Sequence, residues 1–161
     1  MALEIEKKFL VKGKPWLNAP SQYLRQGYIS KEVKATVRVR IAQNQAWLTI
    51  KGKTPDNSFS RLECEYSIPL DDAETMLTQL ACSDIISKTR YTIQHAGFEW
   101  TIDVFEGAND GLILAEIELP SEDTLFERPD WAYQEVTFDH RFSNSSLSNL
   151  PWKQFSDEFK S

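Results

Sequence analysis

The sequence predicts a mainly β, α+β fold: an eight-stranded antiparallel sheet closed into a barrel, with helices packed outside. Three observations carry this. Eight short stretches alternate polar and apolar side chains with period two, the signature of a half-buried strand. Most neighbouring stretches are separated by polar turn residues at hairpin spacing. Before residue 120, one stretch alone keeps a helical period. With 161 residues and no repeat or flexible linker, the chain is expected to form a single domain, 1–161, in which residues 120–161 are a mostly helical tail.

The first strand is expected over residues 1–11, where Glu4, Glu6 and Lys8 alternate with Ile5 and Phe9. Gly13-Lys14-Pro15 breaks it, and a second strand follows over Gln22–Ser30. In Ala35–Ala42, Arg38 and Arg40 oppose Val37, Val39 and Ile41. A turn at Gln43-Asn44-Gln45 leads to Ala46–Lys53, with Thr49, Lys51 and Lys53 on one face. The polar loop 54–58 precedes Phe59–Ile68, where Arg61, Glu63 and Glu65 oppose Leu62, Cys64 and Tyr66. Asp71 or Asp72 then caps a helix running to about Ala81, whose apolar stripe holds Ala73, Met76, Leu77 and Leu80. Strands resume over Ser87–His95, Phe98–Phe105 and Leu112–Leu119, joined by turns at Ala96-Gly97 and Asn109-Asp110-Gly111. Short helices are expected at Glu122–Glu127, Asn144–Leu150 and Trp152–Phe159.

Composition narrows the function. Hydrophobic residues make up 41% and aromatics 12%, so the chain is globular. A net charge of -6 argues against nucleic-acid binding, which needs a basic surface, but leaves room for a basic pocket that takes a small polyanion. Two cysteines, Cys64 and Cys82, make no disulfide framework and are expected to be reduced and mostly buried. The N-terminus lacks an apolar signal core, and no run approaches the roughly 20 apolar residues of a membrane span, so a cytoplasmic location is expected. His95 and His140 fit surface or structural roles, and the aromatics fit packing. No zinc spacing, P-loop, dinucleotide glycine pattern or nucleophile elbow occurs.

The charges are unusual in their sorting by sign. Like charges at i and i+2 on a strand lie about 7 Å apart and repel. Arg38/Arg40, Lys88/Arg90, Glu4/Glu6, Glu63/Glu65 and Glu116/Glu118 all show the pattern, each opposite an apolar face. Solvated faces usually mix signs, so these pairs point instead to one lumen lined by both cations and carboxylates. Such a lumen suits a polyanion bound together with a divalent cation. Guanidinium forks hold phosphate oxygens, and carboxylates hold a hard cation that neutralises the charge between acids and ligand. Water attack on a terminal phosphoryl group is the chemistry this combination serves.

Glu4-Ile5-Glu6-Lys7-Lys8-Phe9-Leu10-Val11 resembles the N-terminal ExExK signature of the CYTH superfamily, the triphosphate tunnel metalloenzymes. Arg25-Gln26-Gly27-Tyr28, Val37-Arg38-Val39-Arg40, Leu48-Thr49-Ile50-Lys51, Glu63-Cys64-Glu65, Lys88-Thr89-Arg90-Tyr91, Ile102-Asp103-Val104-Phe105 and Ala115-Glu116-Ile117-Glu118 occur in the family's order. Glu135-Val136-Thr137 and Arg141 resemble its closing segment. The likeness is greatest to short bacterial members that act as inorganic triphosphatases.

The resemblance implies an eight-stranded tunnel and metal-dependent hydrolysis of a triphosphate, with Mg2+ or Mn2+ as cofactor; a monomer or homodimer that binds a small polyanion, and neither nucleic acid nor membrane, is expected. It assigns phosphate binding to Lys8, Arg38, Arg40, Lys51, Lys88 and Arg90, with Lys53 and Arg61 as weaker candidates. It assigns metal ligation to Glu4, Glu6, Glu116 and Glu118, and catalytic roles to Glu63, Glu65, Lys8 and Asp103. Tyr28 is a further candidate for the lumen. Alternatives implied by other branches are a class IV-type adenylate cyclase or a thiamine triphosphatase. A non-catalytic polyphosphate- or nucleotide-binding protein is the rival from another class.

Overall fold

A computed structural model describes residues 2–159. Met1 of the expected first strand and residues 160–161 of the expected tail lie outside the described residues. Period-two alternation makes strands at β1 (Ala2–Val11), β2 (Ser21–Lys31), β3 (Ala35–Ala42), β4 (Gln45–Gly52), β5 (Ser60–Ile68), β6 (Ile86–His95), β7 (Phe98–Phe105) and β8 (Ile113–Glu118). They pair antiparallel in the order β5-β4-β3-β2-β6-β7-β8-β1. Pairing of Leu3 with Leu62 and Glu4 with Arg61 joins β1 to β5 and closes the barrel, as the sequence predicts. The β6–β7 hairpin turns on Ala96 and Gly97, with φ of 49° and 84°; two left-handed residues give the type I′ geometry that matches strand twist.

A short ninth strand, β9 (Ala132–Glu135), was not expected. It joins β1 at Phe9–Val11, past the point where β1 parts from β5. The chain after it continues the seam: Val136 N–H donates to Lys8 O at 2.8 Å, and Lys8 N–H donates to Thr137 Oγ1 at 3.0 Å. These bonds fix the backbone of Lys8 from the side that β5 leaves open.

The apolar groups fall into three clusters, and helices cover one of the two outer ones. The helix α1 (Leu70–Gln79) lays Ala73 and Leu77 against Val39, Ile41 and Ala46 on the outer face of β3 and β4. It also passes close to β2: a Cβ on Gly27 would stand 2.6 Å from Ile85 Cδ1 and 2.9 Å from Leu77 Cδ2. The N-cap of α1 is Pro69, not an aspartate; Asp71 and Asp72 lie in the first turn, where their charges complement the helix dipole. The outer face of β1, β7 and β8 is covered by non-helical chain. Trp16, Phe126 and Trp131 pack there on Phe9, Trp100, Ile102 and Ile117. The helix expected at Glu122–Glu127 is instead a turn followed by irregular chain, which lets Phe126 reach Trp100 and Phe9, while Glu122 accepts from Ser58 Oγ at 2.7 Å. Six residues make too short a helix to offset nucleation without a buried face.

The third cluster is inside. Leu10, Ile86, Phe105 and Leu114 share the alternation of the charged lumen residues, yet they pack with Phe142, Leu147 and Phe155 from the tail. One end of the barrel interior is thus apolar and filled by the C-terminal segment. That segment is one helical turn, α2 (Asn144–Leu147), and two 3-10 turns, Trp152–Gln154 and Ser156–Phe159, in place of the longer helices expected. Phe142, Trp152, Phe155 and Phe159 pack edge-to-face or tilted with ring centroids 5.1–6.3 Å apart, so aromatic packing rather than helix regularity orders the tail. Cys64 is half-buried but Cys82 is exposed, against the expectation for both; each is a free thiol.

Candidate active site

Eight strands with period-two charge leave a cavity of about 260 Å3 in the barrel. Of the residues expected there, Glu4, Glu6, Lys8, Arg38, Arg40, Lys51, Glu63, Glu65, Arg90, Glu116 and Glu118 line it, as do Arg61 and Tyr28. Lys88 and Asp103 do not; they are buried beside it. Lys53 is exposed, and Arg141 pairs with Asp139 and Glu158 away from the cavity. Thr36, Glu99, Thr101 and the tail residues Ser143, Asn144 and Ser145 complete the lining and were not foreseen. Glu99 and Thr101 share the alternation of Asp103 on β7, so parity could have found them. The tail residues carry no periodic signal.

Cross-strand register brings the charges together. Glu6 faces Glu118 and Lys8 faces Glu116 across β1 and β8. Glu4 is held by Lys51 Nζ at 2.9 Å and Arg61 Nε at 3.1 Å. Burial alone would raise its carboxyl, but these two cations hold it far below the usual range. Asp103 is engaged on both oxygens: Arg90 donates at 2.7 and 2.9 Å, and Lys88 Nζ lies 2.7 Å away. Burial is outweighed there too, and Asp103 stays ionised. Lys88, wholly buried, is pushed down to about 8 by desolvation, with Asp103 opposing.

Other charges are paired more loosely: Lys8 lies 3.8 Å from Glu6 and Lys51 3.4 Å from Glu63. Arg38 and Arg40 reach Glu65 only at 3.9 and 3.6 Å, and the buried Nε of each has no hydrogen-bond partner. Glu65 itself accepts from Thr49 Oγ1 at 2.8 Å. Burial and the charges of Arg38 and Arg90 press Arg40 down to about 10. The acids are crowded in the same way. Glu6 is raised well above the usual carboxyl range by burial and then by Glu116 and Glu4. Glu118 and Glu63 are raised by burial and then by Glu4. Glu116 is the exception, lowered despite burial by Lys8 and Arg90.

The lumen therefore crowds like charges of both signs: Arg38 and Arg90 press on Arg40, and Glu116 and Glu4 press on Glu6. Among the described residues no three His, Cys, Asp or Glu side chains stand close enough to ligate one ion by themselves. The opposed pair Glu6 and Glu118, with Glu116 beside them, nonetheless fits a hard divalent ion that takes one or two carboxylates and completes its shell with phosphate oxygens and water. Glu4 fits less well, since Lys51 and Arg61 already engage it.

Fold and site together define an antiparallel β-tunnel with a buried lumen charged in both signs. The chain belongs to the CYTH domain family, which matches residues 2–151. It is 44% identical over 158 residues to an inorganic triphosphatase of Acetivibrio thermocellus, covering 98% of this chain and all of the relative. An inorganic triphosphatase of Nitrosomonas europaea is 34% identical over 149 residues, 90% of this chain and 96% of that protein. The crystal structure of the inorganic triphosphatase NE1496 superposes with a TM-score of 0.66 at 33% identity, covering 90% of this chain and 97% of that one. No helix of the described residues is long and apolar enough to cross a membrane.

Proposed function

We propose that this protein hydrolyses inorganic triphosphate to orthophosphate and pyrophosphate with a divalent cation, Mg2+ or Mn2+, in the lumen. The observation that carries the reading is the unpartnered Nε of both Arg38 and Arg40 inside a closed barrel whose opposite wall is crowded with acids. A linear polyanion bridged to a divalent cation relieves both crowdings together. The two relatives that bear the name inorganic triphosphatase support the same substrate.

Arg38, Arg40, Lys8, Lys51 and Arg90 hold the phosphate oxygens, with Arg61 beside them, through charge-assisted hydrogen bonds. Lys88 stands behind Arg90 and adds positive charge to the same wall. Glu6, Glu116 and Glu118 would hold the cation, and Glu4, paired with Lys51 and Arg61, lines the same cavity. The cation, when bound, supplies charge neutralisation between the acids and the phosphates and acidifies a water. Water oxygen adds to a terminal phosphorus, the bridging P–O bond breaks, and pyrophosphate leaves with the bond's electrons. Glu63, its affinity for protons raised, takes the water's proton. Glu65 holds Arg38 and Arg40 in line. Asp103, foreseen as catalytic, acts instead as a positioning residue, because both of its oxygens hold Arg90 and Lys88. The substrate is small and anionic, and the protein works in the cytoplasm as a monomer or homodimer.

Release of phosphate from tripolyphosphate by the purified protein tests this. Turnover with Mg2+ or Mn2+, abolished by chelator and by Glu116→Ala in a folded protein, is the expected result. Conversion of ATP to cyclic AMP without triphosphate hydrolysis would establish the cyclase alternative. Tight binding without product in either assay would establish a binding protein.

A further inference from the structure

The tail does more than fill the apolar end of the barrel. We propose that Asn144 is a positioning residue for the reaction: its side-chain oxygen, reaching in from α2, holds the buried Lys88 ammonium on Asp103 and thereby fixes the Arg90 guanidinium that Asp103 carries at the lumen. This rests on the triphosphatase reading above.

An ammonium has three N–H donors. Lys88 Nζ is 2.7 Å from Asp103 Oδ2 on β7 and donates to Asn144 Oδ1 at 3.1 Å. The Phe105 ring lies 5.2 Å from Nζ and closes a third side. The Lys88 side chain has no solvent exposure, so these groups fix its direction. Asp103 passes this order on to Arg90, which donates to it at 2.7 and 2.9 Å and lines the lumen. Asn144 itself lines the cavity between Ser143 and Ser145, so the tail's amide and the buried ammonium meet at the lumen wall.

Asn144 is in turn held from outside the lumen. Lys31 at the end of β2 donates to Ser145 O at 2.8 Å and to Ser148 Oγ at 2.5 Å, and Ser83 Oγ is 3.1 Å from the same hydroxyl. Ser143 caps the turn by accepting from Ser146 N–H at 3.2 Å. Phe142 and Leu147, on either side of Asn144 in sequence, are buried in the aromatic plug. The segment is anchored by packing and by Lys31, leaving the Asn144 amide free to serve Lys88. Removing the amide oxygen leaves the charge of Lys88 but takes an acceptor from a buried ammonium, and so loosens the Asp103 carboxylate and the aim of Arg90. Loss of aim weakens stabilisation of the transition state more than binding of the ground state.

Steady-state kinetics on tripolyphosphate with saturating Mg2+ separates these terms. Asn144→Ala is expected to lower kcat about tenfold with KM within about threefold of wild type. Asn144→Asp keeps an acceptor and is expected to keep kcat within about threefold while raising KM, since it sets a carboxylate beside the phosphates. Lys31→Met, which removes one anchor of the segment but leaves the Asn144 amide and the packing of Phe142 and Leu147, is expected to lower kcat less than Asn144→Ala does. Unchanged kcat in Asn144→Ala would overturn the proposal, as would an equal loss in Lys31→Met. Should Asn144→Ala fail to fold, a tenfold fall of kcat in folded Asn144→Asp would overturn it equally. A wild-type protein that released no phosphate would instead defeat the triphosphatase reading itself.

Discussion

Asp103 shows how one side chain sustains the basic wall. Its carboxylate is 2% exposed and touches both Arg90 and Lys88. Taking away one partner of a buried ion pair leaves the other uncompensated, a loss of about 3–5 kcal/mol. Asp103→Asn should lose stability on that scale in denaturant unfolding, and phosphate turnover with it. A variant as stable as wild type would contradict the burial of the triad. Lys88 gives a pH dependence. Its folded pKa of about 8 is below the usual 10.5, so the folded protein gives up this proton first. Between those values the unfolded chain binds the extra proton, and stability relative to Lys88→Met should rise with pH across that window. The charge serving the substrate is lost over the same interval, so kcat/KM should fall above about pH 8. Lys88→Arg should remove that limb; an unchanged profile would show another group responsible. The sequence reveals that Asp103, Lys88 and Arg90 share the lumen parity. It does not reveal that the acid binds both cations, because parity sets the face of a strand but not the depth or partner of a side chain.

Among the elements, strands and tail differ in how far the sequence discloses them. Barrel strands alternate strictly, and the β3 and β7 bounds match those expected residue for residue. The tail has no period. Its course follows from Phe142, Trp152, Phe155 and Phe159 finding the apolar lumen end formed by Leu10, Phe105 and Leu114. Nothing local in the sequence marks those strand residues as the floor of the lumen, since they merely continue each strand's inward face. Phe142 is fully buried at the centre of that plug. Phe142→Ala should destabilise the protein by about 3–5 kcal/mol, the usual range for truncating a core aromatic, measured by denaturant unfolding. A loss under about 1 kcal/mol would mean that the tail is not seated in the barrel.

At the scale of the molecule, closure of the barrel turns a surface pattern into a chemical one. The chain carries a net charge of -6, yet six cationic side chains, Lys8, Arg38, Arg40, Lys51, Arg61 and Arg90, converge on one cavity. Joining β1 to β5 is what brings them opposite Glu6, Glu116 and Glu118, at a dielectric where both crowdings matter. Anion and cation bound together should relieve a crowding of like charges that neither relieves alone. The most direct test is the melting temperature with a non-hydrolysable imido analogue of triphosphate, with Mg2+, and with both. The predicted rise with both together exceeds the sum of the separate rises, and the excess vanishes in a folded Glu116→Gln variant. Additive or smaller shifts in the wild-type protein would contradict the claim.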